Sequence, residues 1–542
     1  MKKVLKRVIS VFPALLFQVL WYMILLRWLS QWATQITLVL TLLSVIFILY
    51  IVTKEDDGTY KILWILVIMG APVLGAILYL SFGNKGPTGI LKKKLDQVGS
   101  GVRALSGDSA LDDIPEVRMR QTYSYLEDVT GYPVKRSEDV TYYPVGEELY
   151  ADLLFELKQA KHFIFMEYFI VEHGVFLDSI IEILEQKAKE GVDVRFLYDD
   201  LGSISTYSVA EADQLRLKGI HVCSFNRLLS IRGTLNYRDH RKMTVIDGKV
   251  AFTGGINLAD EYINRFEKYG HWKDTGLRLK GEPAANYTRM FAEFWDAFSD
   301  DPIPLYLLDG SGEALLEGRS YSDKIKKQAA VLEEDDINSG LSKSVLQENS
   351  KDTESVPEAA SGWVLSYYDS PIRRENASND LYVSLLYQAQ HTAYFFTPYL
   401  MLGDSLLEAF TKAARRGVDV RIIMPGIPDK KLVYRMSHAF YIPLLESGVK
   451  IYEYTPGFVH AKACVVDGMA GCIGTVNLDY RSLFLHFENN SFFYQDPVLH
   501  EVEKDFLETQ EKCEEIVLGR NLKLTLRRWL WDGILRILSP LC

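Results

Sequence analysis

At 542 residues the chain is too long for one hydrophobic core, so at least two globular domains are expected. Its 60 Lys and Arg stand against 71 Asp and Glu, and the net charge of −11 argues against a nucleic-acid partner, though not against a local basic site. Five cysteines, an odd number with no C-x-x-C pair, give neither a disulfide framework nor a zinc spacing and suit a reducing compartment.

Residues 1–85 read as a membrane anchor with two or three apolar segments. Three uncharged stretches, about 8–26, 32–53 and 62–82, are each long enough to cross a ~30 Å hydrocarbon core. The opening "MKKVLKR" gives the first a signal-peptide start, but no small-residue cleavage site follows and two more stretches do. Lys2, Lys3, Lys6 and Arg7 precede the first stretch, and Lys92, Lys93 and Lys94 follow the third. The positive-inside rule assigns both flanks to the cytoplasm. Three full spans cannot satisfy it. Either one stretch is re-entrant or interfacial, best the first with Pro13 and Gln18, or one basic cluster misleads. The expectation is a multi-pass protein of the plasma membrane with its globular part on the cytoplasmic side.

After a connector, 86–134, the globular part repeats itself. "LLFELKQAKHFIFMEYFI", "EQKAKEGVDVRFLYDD" and "LKGIHVCSF" are echoed by "LLYQAQHTAYFFTPYL", "TKAARRGVDVRIIMPG" and "LESGVKIYEY". Each copy reads helix, strand, helix, strand, helix, strand, then a hairpin closed by Asp-Gly. Strands alternating with helical patterns predict α/β layered domains, over 135–310 and 361–520, forming a pseudo-dimer. Residues 311–360 between them, poor in aromatics and rich in Ser, Glu, Asp and Lys, read as a partly disordered linker. The last segment, 521–542, is amphipathic: Arg527, Arg528 and Arg536 interleave with Trp529, Leu530, Trp531, Ile534 and Ile537. It is either a last helix packed on its domain or a helix on a membrane surface.

The repeat ends each time in H-x-K-x-x-x-x-D-G: "DHRKMTVIDG" from Asp239 and "VHAKACVVDG" from Val459. On a strand, positions i and i+2 share a face, so His240 projects with Lys242 and His460 with Lys462. Asp247 and Asp467, seven residues after the histidines, fall on the opposite face and in the turn, where they support the fold. Gly-rich turns follow, "GGIN" ending at Asn257 and "GTVN" ending at Asn477. If the domains face each other, two His, two Lys and two Asn converge. Lysine does not ligate hard cations, so this is a poor metal site. It is a good oxyanion site, because Lys and Asn donate to anionic oxygens and neutral imidazole can attack phosphorus. Such a histidine needs a group that fixes its tautomer. Asp274 in "HWKDTGL" and Glu488 in "FENNSFF" are the candidates.

These residues resemble the phospholipase D superfamily signature, H-x-K-x4-D-x6-G-x-x-N. Gly255 and Thr475 stand where that family often has Ser. "YKILWILVIMGAPVLGAILYLSFG", "NYRDHRKMTVIDG", "TGGINLADEY", "IGTVNLDYRS" and the ending "RILSPLC" are similar to bacterial cardiolipin synthases of the phospholipase D type. The likeness departs at "TPYLMLGD", where an aromatic and a Pro-Asp pair are more usual. It implies two phospholipase D-like α/β sandwich domains and a phosphatidyl transfer in which two phosphatidylglycerols give cardiolipin and glycerol, with no cofactor, no metal and no nucleic acid. A membrane-anchored phospholipase D and a synthase using phosphatidylethanolamine are the alternatives. The resemblance groups His240, Lys242, Asp247, His460, Lys462 and Asp467 as catalytic. It makes His240 the nucleophile and His460 the acid/base, with Asn257 and Asn477 on the phosphoryl oxygens.

Overall fold

The structure, a computed structural model, describes residues 13, 16–24, 32–83, 89–103, 107–227, 236–304 and 362–541. The linker expected at 311–360 and parts of the first apolar stretch lie outside the described residues. Two units are each compact: the N-terminal helices together with the last helix, and the chain from Gly89 to Thr525.

In the first unit, Ala33–Val52 is a 20-residue helix and, among the described residues, the one long and apolar enough to cross a membrane. Asp57 caps the next helix, Gly58–Gly70, accepting from the Thr59 and Tyr60 amides at 3.0 and 3.4 Å. The third apolar stretch is not one continuous span. Ala71 leaves the helical region at φ −147° and ψ 81°, and Pro72, which has no N–H to give, opens a separate helix, Pro72–Leu78. At 1.5 Å per residue Gly58–Gly70 spans only about 20 Å. The last helix, Leu526–Leu538, packs against Gly58–Gly70 and belongs to this unit, not to the second α/β domain.

The second unit holds two sheets with one order. The first runs Asp139–Tyr143, Gly276–Lys280, Val250–Gly254, Met243–Ile246, Phe163–Tyr168, Asp193–Asp199, His221–Phe225. Its first four pairings are antiparallel and the last two parallel. Trp363–Asp369, His486–Tyr494, Ala470–Gly474, Ala463–Val466, Thr392–Phe396, Asp419–Pro425 and Lys450–Tyr454 repeat that order, and Cys513–Ile516 extends the far edge. The repeated "GVDVR" has a local cause. Gly191 and Gly417 take φ of 90° and 94°, the left-handed stop after the helices Val175–Lys189 and Asp404–Arg415, and the chain turns straight into a strand. Along Val175–Lys189 the buried side chains Phe176, Leu177, Ile180, Ile181 and Leu184 recur at helical spacing and give the helix its core-facing stripe.

The halves are bound tightly. Helix Pro283–Phe298 is buried on almost every side; Asn286 donates to the carbonyls of Pro133 and Ser366 at 3.0 and 3.1 Å, and Tyr287 meets Ser491 at 2.8 Å. The connector is more than a spacer. Its helix Val117–Thr130 places the Tyr123 hydroxyl on the carbonyls of Trp363 and Phe492, and Lys135–Arg136, expected to begin the first domain, pairs antiparallel with the second half's Trp363–Asp369.

Candidate active site

Both motifs end in a hairpin turn with two left-handed residues, Asp247 and Gly248 at φ 52° and 67°, Asp467 and Gly468 at 52° and 65°. The Asp247 carboxylate accepts from the amides of Lys161, His162 and Phe163, each at 2.8 Å. Asp467 does the same for Gln390, His391 and Thr392 at 2.7–2.8 Å. These aspartates therefore pin each hairpin to the start of the neighbouring strand. Their odd spacing from the histidines agrees with this placement on the strand-facing side of each turn.

His240 and Lys242 sit just ahead of the strand Met243–Ile246 rather than within it, as do His460 and Lys462 ahead of Ala463–Val466. What holds them extended is pairing with the other half. Arg238–Asp239 lies parallel to His486–Phe487, and Gly457–Val459 lies parallel to His271–Lys273. One residue further, His240 comes opposite Glu488 and His460 opposite Asp274. The backbone seals both registers: His240 N–H donates to the Phe487 carbonyl at 2.9 Å, and His460 N–H to the Lys273 carbonyl at 2.6 Å. The carboxylates are thus exchanged between the halves. His240 Nδ1 lies 2.9 and 3.0 Å from the Glu488 oxygens, and His460 Nδ1 lies 2.7 Å from Asp274 Oδ2. With Nδ1 tied, Nε2 is the ring atom left for chemistry. Each lysine folds back on its motif, Lys242 Nζ reaching the His240 carbonyl at 2.6 Å and Lys462 Nζ that of His460.

All four motif side chains are buried, and each half sits in the other's field. Burial, then Lys242, holds His240 well below the usual histidine range. Burial, then Lys462, takes His460 down to about 4. Burial also brings Lys242 to about 8 and Lys462 to about 7. Both imidazoles are therefore neutral near pH 7, the form able to attack phosphorus. The carboxylates diverge. Burial raises Glu488 well above its ordinary value. For Asp274 burial acts in the same direction, but His460 and Lys462 outweigh it and lower the pKa. Their partners differ too. Glu488 accepts from the Thr475 and Ser482 hydroxyls at 2.5 Å each, whereas Asp274 accepts from Trp272 Nε1 at 3.2 Å and the Thr275 amide at 2.8 Å. A Cβ on Gly255 would come 2.0 Å from Asp274 Oδ1, so the position matching Thr475 has no room for a side chain.

The asparagines are buried and anchored. Asn257 accepts from the Ile170 amide at 3.0 Å and donates to the Tyr262 hydroxyl at 2.8 Å, and the Tyr262 ring lies 5.5 Å from that of His460. The Asn477 backbone N–H donates to Ser482 Oγ at 2.9 Å, and its side-chain Nδ2 donates to Asp479 at 3.4 Å. Two neighbours of the histidines escape motif spacing: His486, with its ring 5.7 Å from His240, and Trp272, 5.2 Å from His460. Each lies two residues before the carboxylate that its histidine meets, so the same strand parity that joins His240 to Lys242 could have found them. His240, His486 and Glu488 bring one ligand atom each within 4.8 Å of one another. That set fits a cation poorly, because Glu488 is already engaged, Arg481 donates to His486 Nε2 at 3.1 Å, and Lys242 and Lys462 stand close by.

The chain matches the family description "Cardiolipin synthase, PLD-like domain" over 153–295 and 382–509, and "Phospholipase_D-nuclease N-terminal" over 39–84. It is 33% identical to a cardiolipin synthase of Alkalihalophilus pseudofirmus, over 98% of each chain. Against one from Geobacillus kaustophilus it is 32% identical over 92% of each. In structure it resembles phosphatidylserine synthase from Haemophilus influenzae, with TM-score 0.53 and 16% identity over 78% of this chain and 99% of that one, a likeness of fold.

Proposed function

The chain belongs to the bacterial cardiolipin synthases of the phospholipase D superfamily, and we propose that its two motifs form one site for phosphatidyl transfer between two phosphatidylglycerols. It is a phosphatidyltransferase acting on membrane phospholipids. The observation that carries the proposed mechanism is the crossed pairing of His240 with Glu488 and His460 with Asp274.

His240 Nε2 attacks the phosphorus of the first phosphatidylglycerol. The P–O bond to glycerol breaks, and His460, which takes up a proton when the anionic substrate binds, gives that proton from Nε2 to the departing oxygen. A phosphatidyl-His240 remains. A glycerol hydroxyl of the second phosphatidylglycerol then attacks phosphorus, His460 takes its proton, and the P–N bond breaks to leave cardiolipin. Lys242, Lys462, Asn257 and Asn477 hold the phosphoryl oxygens; Glu488 keeps His240 in the attacking tautomer, and Asp274 orients His460 and favours its protonated form. No cofactor enters. The family and the helix Ala33–Val52 mark a membrane protein. The plasma membrane, more than one pass and a cytoplasmic catalytic unit complete the reading, for which Lys92, Lys93 and Lys94 after the anchor speak.

Purified full-length protein with phosphatidylglycerol and EDTA in detergent should give cardiolipin and glycerol. Phosphatidic acid in place of cardiolipin would replace the synthase with a hydrolase. A nitrophenyl phosphodiester, whose leaving group needs no acid, assigns the histidines. His460→Ala should release a burst of phenolate and gain the adduct mass, and His240→Ala should do neither; the reverse pattern makes His460 the nucleophile.

A further inference from the structure

The last helix turns most of its large apolar side chains outward. Leu526–Leu538 buries Asp532 and Leu535, packs against Gly58–Gly70, and is followed by the buried pair Ser539 and Pro540. Its exposed positions hold Leu526, Trp529, Leu530, Trp531 and Ile534, from 48% to 74% accessible. The one acid of the helix is thus turned inward, held by Arg528 at 3.3 Å, while both tryptophans are turned out. Water opposes that distribution; a membrane interface favours it, because indole rings settle at headgroup level.

Charge specifies the kind of interface. The helix carries Arg527, Arg528 and Arg536 against Asp532 alone, and Arg520 and Lys523 precede it, in a chain whose net charge is −11. Basic residues interleaved with Trp and Leu suit anionic headgroups. The helix also shares its compact unit with Ala33–Val52, which among the described residues is the helix long and apolar enough to cross a membrane. We propose that Leu526–Leu538 is an interfacial helix seated in an anionic leaflet, with Trp529 and Trp531 at the headgroup–acyl boundary and the exposed Lys523 and Arg527 on lipid phosphates. It gives the chain a second, charge-selective attachment to the bilayer. This rests on the chain being a membrane protein and is independent of the catalytic assignment.

The test uses full-length protein reconstituted in phosphatidylcholine vesicles with and without phosphatidylglycerol, carrying bromines at shallow or deep acyl positions. Trp529 and Trp531 are two of nine tryptophans. Replacing both with Phe should remove a component of the emission that shallow bromines quench more than deep ones. That component should be quenched more by brominated phosphatidylglycerol than by brominated phosphatidylcholine, and Lys523→Gln with Arg527→Gln should erase the preference. Unchanged quenching in the Trp→Phe pair overturns the proposal. So does a pair that no lipid quenches but that becomes accessible to iodide when the protein is diluted in detergent, which would mean a second copy covers the helix. Equal quenching by the two lipids overturns the charge selectivity. Cardiolipin formation in detergent serves only as the folding control, so a failed catalytic reading leaves this readout intact.

Discussion

Beneath the first motif the chain buries five charged side chains; at the repeat-equivalent positions beneath the second it buries apolar ones. Arg238 donates Nε and Nη2 to Asp199 at 3.0 and 2.7 Å. Arg241 pairs with Glu167 and, at 3.0 Å, with Asp239, its guanidinium 3.5 Å from the Phe294 ring centroid. The second half has Phe458, Pro425, Ala461, Phe396 and Val459 at those places, all buried. Yet the His–Lys arrangement is the same. The support beneath is therefore interchangeable, and the parallel pairing between halves is not. That pairing puts each histidine opposite a carboxylate, whether Arg238 or Phe458 stands two residues ahead.

Breaking the shared element should have the largest effect. Asp274→Asn and Glu488→Gln keep shape but present an amide to Nδ1, and each should lower kcat by roughly 10²–10⁴-fold without lowering the unfolding temperature. Activity within tenfold of wild type for either would mean that half's histidine is not oriented by its carboxylate. Breaking the unshared element should cost stability instead. Glu167→Ala leaves Arg241 buried and under-compensated, for a loss of about 3–5 kcal/mol by thermal unfolding. The triple change Glu167→Phe, Asp239→Val, Arg241→Ala transplants the second half's residues and should recover most of it. A triple variant no better than the single would show that the charges themselves are required.

Whatever depends on local spacing was legible in the sequence. The repeated element order, the left-handed glycines of "GVDVR", the Asp-Gly turns and the shared face of His and Lys all follow from periods of a few residues. The parity of Asp247 points away from the histidine, toward the amides of Lys161, His162 and Phe163 that its carboxylate accepts from, while motif membership points toward the histidine. What was not legible depends on partners far apart. Glu488 reaches His240 across 248 positions, and no spacing within either half announces the exchange. The split of the third apolar stretch was legible: Pro72 marks it, but length and hydropathy alone count straight through a proline. The buried ion network stayed hidden because "YRDHRK" looks like an exposed, charged approach to a strand until Glu167 and Asp199 are placed behind it.

A smaller difference separates the two carboxylates. Thr475 donates to Glu488, whereas Gly255 leaves Asp274 only the space it occupies. Thr475→Val should remove a hydrogen bond to a charged group, worth about 1.5–3 kcal/mol, and lower kcat by roughly tenfold or more. Thr475→Ser keeps the hydroxyl and should stay near wild type. If Val and Ser behave alike, the hydroxyl does not act through Glu488.

The smallest expected effect is a displacement of pH limbs, and it tests whether the two halves share one field. In the free site burial and the lysines depress both histidines, His460 to about 4, so stability associated with these neutral rings is complete above the unfolded value near 6.5 and is lost as pH falls toward 4. In the proposed mechanism His460 carries a proton when glycerol leaves. A bound phosphodiester brings a negative charge among Lys242, Lys462 and the two rings; it opposes the ammonium groups and favours imidazolium, so the His460 pKa should rise on binding. The profile of kcat/KM reports the free enzyme and that of kcat the complex. The alkaline limb of kcat should therefore lie above that of kcat/KM by about one unit or more. Lys462, at about 7 in the free site, is pushed the same way, because the anion favours its charged form as well. Binding should then take up protons between pH 6 and 8, measurable as a buffer-dependent heat when a phosphodiester is titrated into His240→Ala. Limbs that coincide, or protons released rather than taken up, would mean that the substrate's charge is compensated elsewhere and that the two motifs do not titrate as one site.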